Sequence, residues 1–191
     1  MFPTLRCLHL HTRHLLAVGT LAAAPVVSGG QQPLERVSIE AGTSRTVRNN
    51  EQADRLEARA VILYGIPGKW RTAAQLHRRA GELREDDPRA VQSFRLASWA
   101  YSAARDQGTA RVMMERAAER AAAGGDVERA ASSYVDAALI AATDERYDVV
   151  PGLLRKTKAM LASPLLASDR RAMLLERIEG TPRLAQAWTT P

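Results

Sequence analysis

Cys7-x-His9-x-His11-x2-His14 is the grouping in this chain whose residue types and spacing match metal ligation. It sits in a segment marked for removal. Residues 1–14 carry Arg6 and Arg13 but no acid, and residues 15–27 form an apolar run broken only by Gly19, Thr20 and Pro25. Ser28-Gly29-Gly30 then supplies small residues at the exit. A basic start, a short apolar stretch and a small-residue exit mark a secretory signal peptide over residues 1–30. The run is shorter than the roughly 20 residues that cross a bilayer, so a lasting anchor is disfavoured and membrane contact is limited to the transient signal. The sequence therefore predicts export to the periplasm or the extracellular space, with cleavage near Ser28–Gly30. Cys7, His9, His11 and His14 leave with that segment, and no metal or cofactor is expected.

The remaining chemistry is sparse. His77 is then the last histidine, and no thiol is left to act as a nucleophile or to form a disulfide. His77 falls on the apolar stripe of a helix, with no nucleophile beside it, and reads as a packed residue rather than a base. Glu115 and Glu119 lie one helical turn apart, as an acid/base pair could, but Arg111, Arg116 and Arg120 surround them. A charge-paired solvent face is the reading there. Glu85-Asp86-Asp87 reads as a helix boundary and not as a cation site. No phosphate-cradling glycine loop or nucleophile motif is present. The chain reads as a non-enzyme.

What these residues hang on is helical. Aromatic residues make up 5% of the chain and no β-alternating run stands out beyond a doubtful Val37 to Ile39. Residues 31–50 are polar, with Pro33 and Gly42, and predict a linker. Apolar stripes at helical spacing then predict helices at 51–64, 69–85, 88–105, 109–123, 126–142, 147–162 and 168–180. Gly65-Ile66-Pro67-Gly68, Asp86-Asp87-Pro88, Asp106-Gln107-Gly108, Gly124-Gly125 and Ser163-Pro164 punctuate them. Asp87, Thr109 and Asp126 are the expected caps. Residues 181–191 are expected to fray as a tail, with Trp188 tucked back.

A pattern repeats along these helices. It reads Ala60-Val61-x2-Tyr64 with Ala73, then Ala97-Ser98-x2-Tyr101 with Ala110, then Ala137-Ala138-x2-Ala141 with Val150. Ala73, Ala110 and Val150 are spaced by 37 and 40 residues, a period that means stacked helix pairs. The expected fold is all-α, with three stacked helix-turn-helix hairpins over residues 51–162 and a capping helix over 163–180. These spacings resemble the tetratricopeptide repeat. In that resemblance Tyr64 and Tyr101 match the tyrosine of the first helix, and Phe94 and Tyr134 match its bulky position, where the first copy has Glu57. Val61, Ser98 and Ala138 match the small contact residue, and Ala73 and Ala110 the crossing alanine. The turn glycine falls at Gly68, Arg105 and Glu145, so one copy of three keeps it.

The resemblance implies a concave groove lined by the first helices. Its register places Arg55, Arg59, Ile62, Gln92, Arg95, Trp99, Ser132, Val135 and Leu139 toward that groove. Ile62, Trp99 and Leu139 occupy equivalent places, an apolar stripe beside Arg55, Arg59 and Arg95, which suits a peptide. Family members that grip a terminal carboxylate use basic residues and asparagine where this chain has Ala58, Ile62, Leu96, Ser132 and Asp136, so that clamp is not expected. The leading expectation is an exported scaffold that binds a protein or peptide segment. The alternative is a helical module for acidic lipid or polysaccharide. It is weakened because the net charge of +6 drops by two, to +4, without Arg6 and Arg13. Export and the lack of a basic stripe with stacking aromatics argue against nucleic acid.

Overall fold

Between residues 33 and 161, each helix packs chiefly on its neighbours along the chain. The computed structural model describes residues 33–84 and 87–189, which form eight helices and no strand. They are α1 (Pro33–Leu63), α2 (Trp70–Leu83), α3 (Arg89–Ala103), α4 (Gln107–Ala123), α5 (Val127–Thr143), α6 (Val150–Leu161), α7 (Ser168–Glu179) and α8 (Pro182–Thr189). The expected signal segment, with Cys7, His9, His11 and His14, lies outside the described residues. No described helix is long and apolar enough to cross a membrane.

The hairpins α1–α2, α3–α4 and α5–α6 stack in order, through α2 on α3 and α4 on α5. Alanine makes this possible, since a methyl side chain lets two backbones approach closely. Ala74, Ala90, Ala97, Ala110, Ala117 and Ala130 are all buried in one cluster, with Val91, Phe94, Tyr101 and Met113 filling the gaps. A second cluster runs from α4 to α8 through Met114, Tyr134, Val135, Leu154, Leu174, Ile178 and Leu184. The crossing inside the second hairpin is tied by a hydrogen bond, Ser98 Oγ donating to the Ala110 carbonyl at 2.7 Å. Ser98 and Ala110 therefore meet as the repeat register requires.

The turns repeat as well. Gly68, Arg105 and Glu145 all take positive φ, at 77°, 61° and 57°. After α3 the Asp106 amide donates to the Tyr101 carbonyl at 2.9 Å and the Arg105 amide to the Ser102 carbonyl at 3.0 Å. After α5, Arg146 and Glu145 repeat the pattern on Ala141 and Ala142 at 2.9 and 3.3 Å. Gly125 makes the same left-handed stop after α4, its amide and that of Asp126 donating to the Ala122 and Ala121 carbonyls at 3.1 and 2.9 Å. Gly68 lies beyond the end of α1, so Arg105 and Glu145 form this helix stop without glycine.

Several boundaries differ from the sequence reading. Residues 33–50, expected as a linker, are the first part of α1. Pro33 suits a first helical turn, and extension from a formed helix costs little even without an apolar stripe. Asp106, not Thr109, caps α4, accepting from the Thr109 amide at 3.2 Å. Asp126 caps α5 as expected, accepting from the Arg129 amide at 3.0 Å. Tyr147 lies in a turn, and α6 starts at Val150 with Pro151 in its first turn. The expected tail contains α8, held by fully buried Leu184 and by Lys158, whose Nζ donates to the Trp188 carbonyl at 2.8 Å and sits 4.7 Å from its ring. With α7 packed on α5 and α8 on α6, the C-terminal pair continues the stack as a short fourth hairpin.

Candidate protein-interaction face

Successive first helices are joined by ion pairs that cross the stack. Between α1 and α3 the joint is Arg84, the C-cap residue of α2, which is only 4% exposed. Its Nη1 and Nη2 donate to Glu57 Oε1 and Oε2 at 2.6 and 2.8 Å, and Nη2 reaches Asp54 Oδ1 at 2.5 Å. Ser93 Oγ of α3 donates to Glu57 Oε1 at 2.7 Å. Burial pushes the Glu57 carboxyl upward, but the hydrogen bonds from Arg84 and Ser93 outweigh it and hold the group below its ordinary value. Between α3 and α5, Arg95 Nη2 lies 3.6 Å from Asp136 Oδ2, and Arg177 of α7 donates to Asp136 Oδ1. Asp136 thus stands between two guanidinium groups from neighbouring helices.

The predicted site residues divide along this ladder. Arg55, Arg59 and Gln92 are exposed, and Ile62 and Trp99 are 69% and 50% exposed. Arg95 is half-buried, with its guanidinium carbon 5.5 Å from the centre of the Trp99 ring. Val135 is fully buried, which corrects its placement in the groove. Leu139 and Ser132 are half-buried, and Leu139 packs against the core instead of completing an open stripe. The reason is coverage: α5 is flanked by α4, α6, α7 and α8, whereas α1 packs chiefly on α2. The same asymmetry corrects Val61. Ser98 and Ala138, its partners in the repeat, are fully buried, yet Val61 is 61% exposed because no hairpin precedes it among the described residues.

Two features were missed by sequence reasoning: the Arg84 joint and the Asp136 bridge. Glu57 was the available signal for the first. An acid where the other copies place Phe94 and Tyr134 must meet a cation if it is to be buried. Asp136 offered no comparable sign, because Arg95 and Arg177 are far from it in the chain.

The other candidate groups have structural partners. Glu115 pairs with Arg111 and Glu119 with Lys156 at 3.2 Å, so the two acids serve different cations. Asp87 accepts from the Arg89 amide at 2.8 Å and from its guanidinium, whose hydrogen bonds hold the carboxyl below its usual value. Among the described residues no group of histidine, cysteine and acid side chains could hold a metal ion. His77 is fully buried, and its ring lies 5.6 Å from that of Tyr64, which in turn stacks on Trp70 at 5.1 Å. Burial, with a smaller contribution from Glu57, pushes the Tyr64 hydroxyl up to about 12.

Residues 31–146 match the family model described as soluble NSF attachment protein. No curated protein and no solved structure matches the chain. The likeness to the tetratricopeptide repeat is thereby narrowed to a shared helical-repeat architecture. The matched family consists of helical protein-interaction adaptors, and its matched region takes in the hairpins that carry Ile62, Arg95 and Trp99. With well over half of its 191 residues inside that match, the chain belongs to the soluble NSF attachment protein family.

Proposed function

We propose that the chain is an exported, non-enzymatic adaptor that grips a protein segment in a groove along its first helices. The observation that carries this reading is the pairing of exposed Ile62 and Trp99 with arginines beside them. Large apolar side chains left open on a stack that buries Phe94, Tyr101 and Tyr134 fit a binding role better than a packing one. Arg95 lies against Trp99 and is itself braced by Asp136, so the aromatic anchor is held in a set orientation. Arg59 lies one turn before Ile62 and forms no ion pair among the described residues, leaving its charge for a partner. Family membership supports a protein partner in general, and the basic, apolar start of the sequence supports export.

The surface-binding alternative gains nothing from the charge layout. Arg78 and Arg79 meet Glu82, and Lys156 meets Glu119. The test compares proteins captured from the envelope fraction by wild type and by Trp99→Ala. A central aromatic anchor is worth about 2 kcal/mol or more, so a groove partner should bind roughly thirtyfold more weakly to the variant. Equal capture would remove the groove from the account. N-terminal sequencing of the fractionated protein checks export. A full-length product in the cytoplasm would overturn it.

A further inference from the structure

His77, the single histidine among the described residues, is fully buried, and neither of its ring nitrogens has a hydrogen-bond partner there. Buried polar groups are nearly always paired, so this ring is an exception that calls for a reason. Its neighbours make a second proton hard to accept. From α1, the Tyr64 ring stacks on it and Glu57 supplies the nearby negative charge. That carboxylate is already committed: Oε1 accepts from Arg84 and Ser93, and Oε2 accepts from Arg84. From the end of α2, Arg84 adds a repelling positive charge. From α3, the other helix packed on α2, come the neutral Ser93 hydroxyl and the Phe94 ring, which lies against Gly81. Arg89 of that helix is paired with Asp87 and Asp54, and Arg95 with Asp136.

We propose that His77 makes the first hairpin an acid-sensitive latch. When the ring gains a proton, the aromatic end of α1 comes away from α2 while the Arg84 end stays attached. α1 is the element that yields, because it packs chiefly on α2, whereas α2 is also held by α3. The two ends respond to different pH ranges. Burial holds the His77 ring below its ordinary value of 6.5, the repulsion of Arg84 adds to this, and the Glu57 charge only partly offsets them. An open hairpin therefore binds the proton more readily than a closed one, so closure is fully favoured above about 6.5 and weakens as pH falls below it. Glu57 keeps its charge below its ordinary 4.5, so the Arg84 joint outlasts the aromatic contact. The hairpin then pivots without dissociating. Because α1 carries Arg55, Arg59 and Ile62, acid would also unload a segment from the groove, a consequence that rests on the proposed function.

Hydrogen exchange of the full chain between pH 7.5 and 5, corrected for intrinsic rate, tests the latch. Amides of residues 58–66 should open about tenfold more for each pH unit below roughly 6.5, until the ring in the closed state is itself protonated. Those of α5 should stay unchanged. His77→Leu should remove the rise, since leucine fills the site with no charge to gain. An equal rise in that variant, or in α5, overturns the latch. If His77→Leu does not fold, the imidazole resonance of the wild type decides: titration near 6.5 overturns the proposal and titration well below it supports it. A captured groove partner separates the two readings. Opening at acid pH with the partner still bound would sink the groove and leave the latch standing. A partner lost on Trp99→Ala at neutral pH, with no acid opening, would do the reverse.

Discussion

Arg105 and Glu145 hold backbone angles that an L side chain resists, since its Cβ crowds the following carbonyl in the left-handed region. Both side chains are exposed at the turns they serve. Replacing either by glycine should stabilise the protein by about 0.5–1 kcal/mol, the relief of the left-handed strain less the extra entropy that glycine loses on folding. Urea melts of Arg105→Gly and Glu145→Gly check this, with Gly125→Ala as the reverse experiment, since Gly125 also has positive φ, at 76°. Loss of stability in both glycine variants would mean that these side chains contribute more at the turns than their exposure implies. The same two residues show why residue types alone under-report a motif. What the repeat conserves here is a backbone shape, and glycine is only its commonest filler. Glu57 teaches the complementary lesson. Its place in the repeat was legible, but its role was not, because its partner Arg84 is 27 residues away.

At the scale of the helix pair, the crossing of α3 and α4 depends on Ala110, which is fully buried while Ser98 donates to its carbonyl. Leucine there would push the helices apart, an overpacking that typically costs about 1–3 kcal/mol. Ala123→Leu, at the exposed end of α4, should change stability by less than about 0.5 kcal/mol. Thermal melts of the two variants decide the matter, and equal effects would mean that the helix register is wrong. Elements with an apolar stripe were legible in the sequence: α2 to α7 fall close to their expected positions because burial wrote the pattern. The early part of α1 was not, since residues 33–50 carry no stripe to read. Helix α8 was missed for another reason. Leu184 and Trp188 sit one turn apart, as a short docked helix requires, but residues 181–191 read only as a fraying terminus, although Pro182 suits a first helical turn. The exposure of Ile62 and Trp99 on α1 and α3 was legible from the helix register. Exposure was misread at Val135 and Leu139, because nothing local announces that four other helices pack around α5.

In the whole molecule, contacts between consecutive helices dominate, so damage should stay near where it is done. Leu184→Ala empties a fully buried position in α8 and should cost about 2–5 kcal/mol locally. Hydrogen exchange should then quicken in α6, α7 and α8 while α1 and α2 keep their protection. Uniform loss of protection would show a single cooperative unit instead of a stack. The chain-neighbour packing also bears on how the protein comes into being. Closing each helix pair needs only a turn of a few residues, so little loop entropy opposes the first contacts, and chains of such low contact order fold on the microsecond-to-millisecond scale. A ribosome adds about 5–20 residues per second, far more slowly than that. Each hairpin can therefore close as soon as it emerges, and the nascent chain grows as an ordered stack that never waits for its C-terminus.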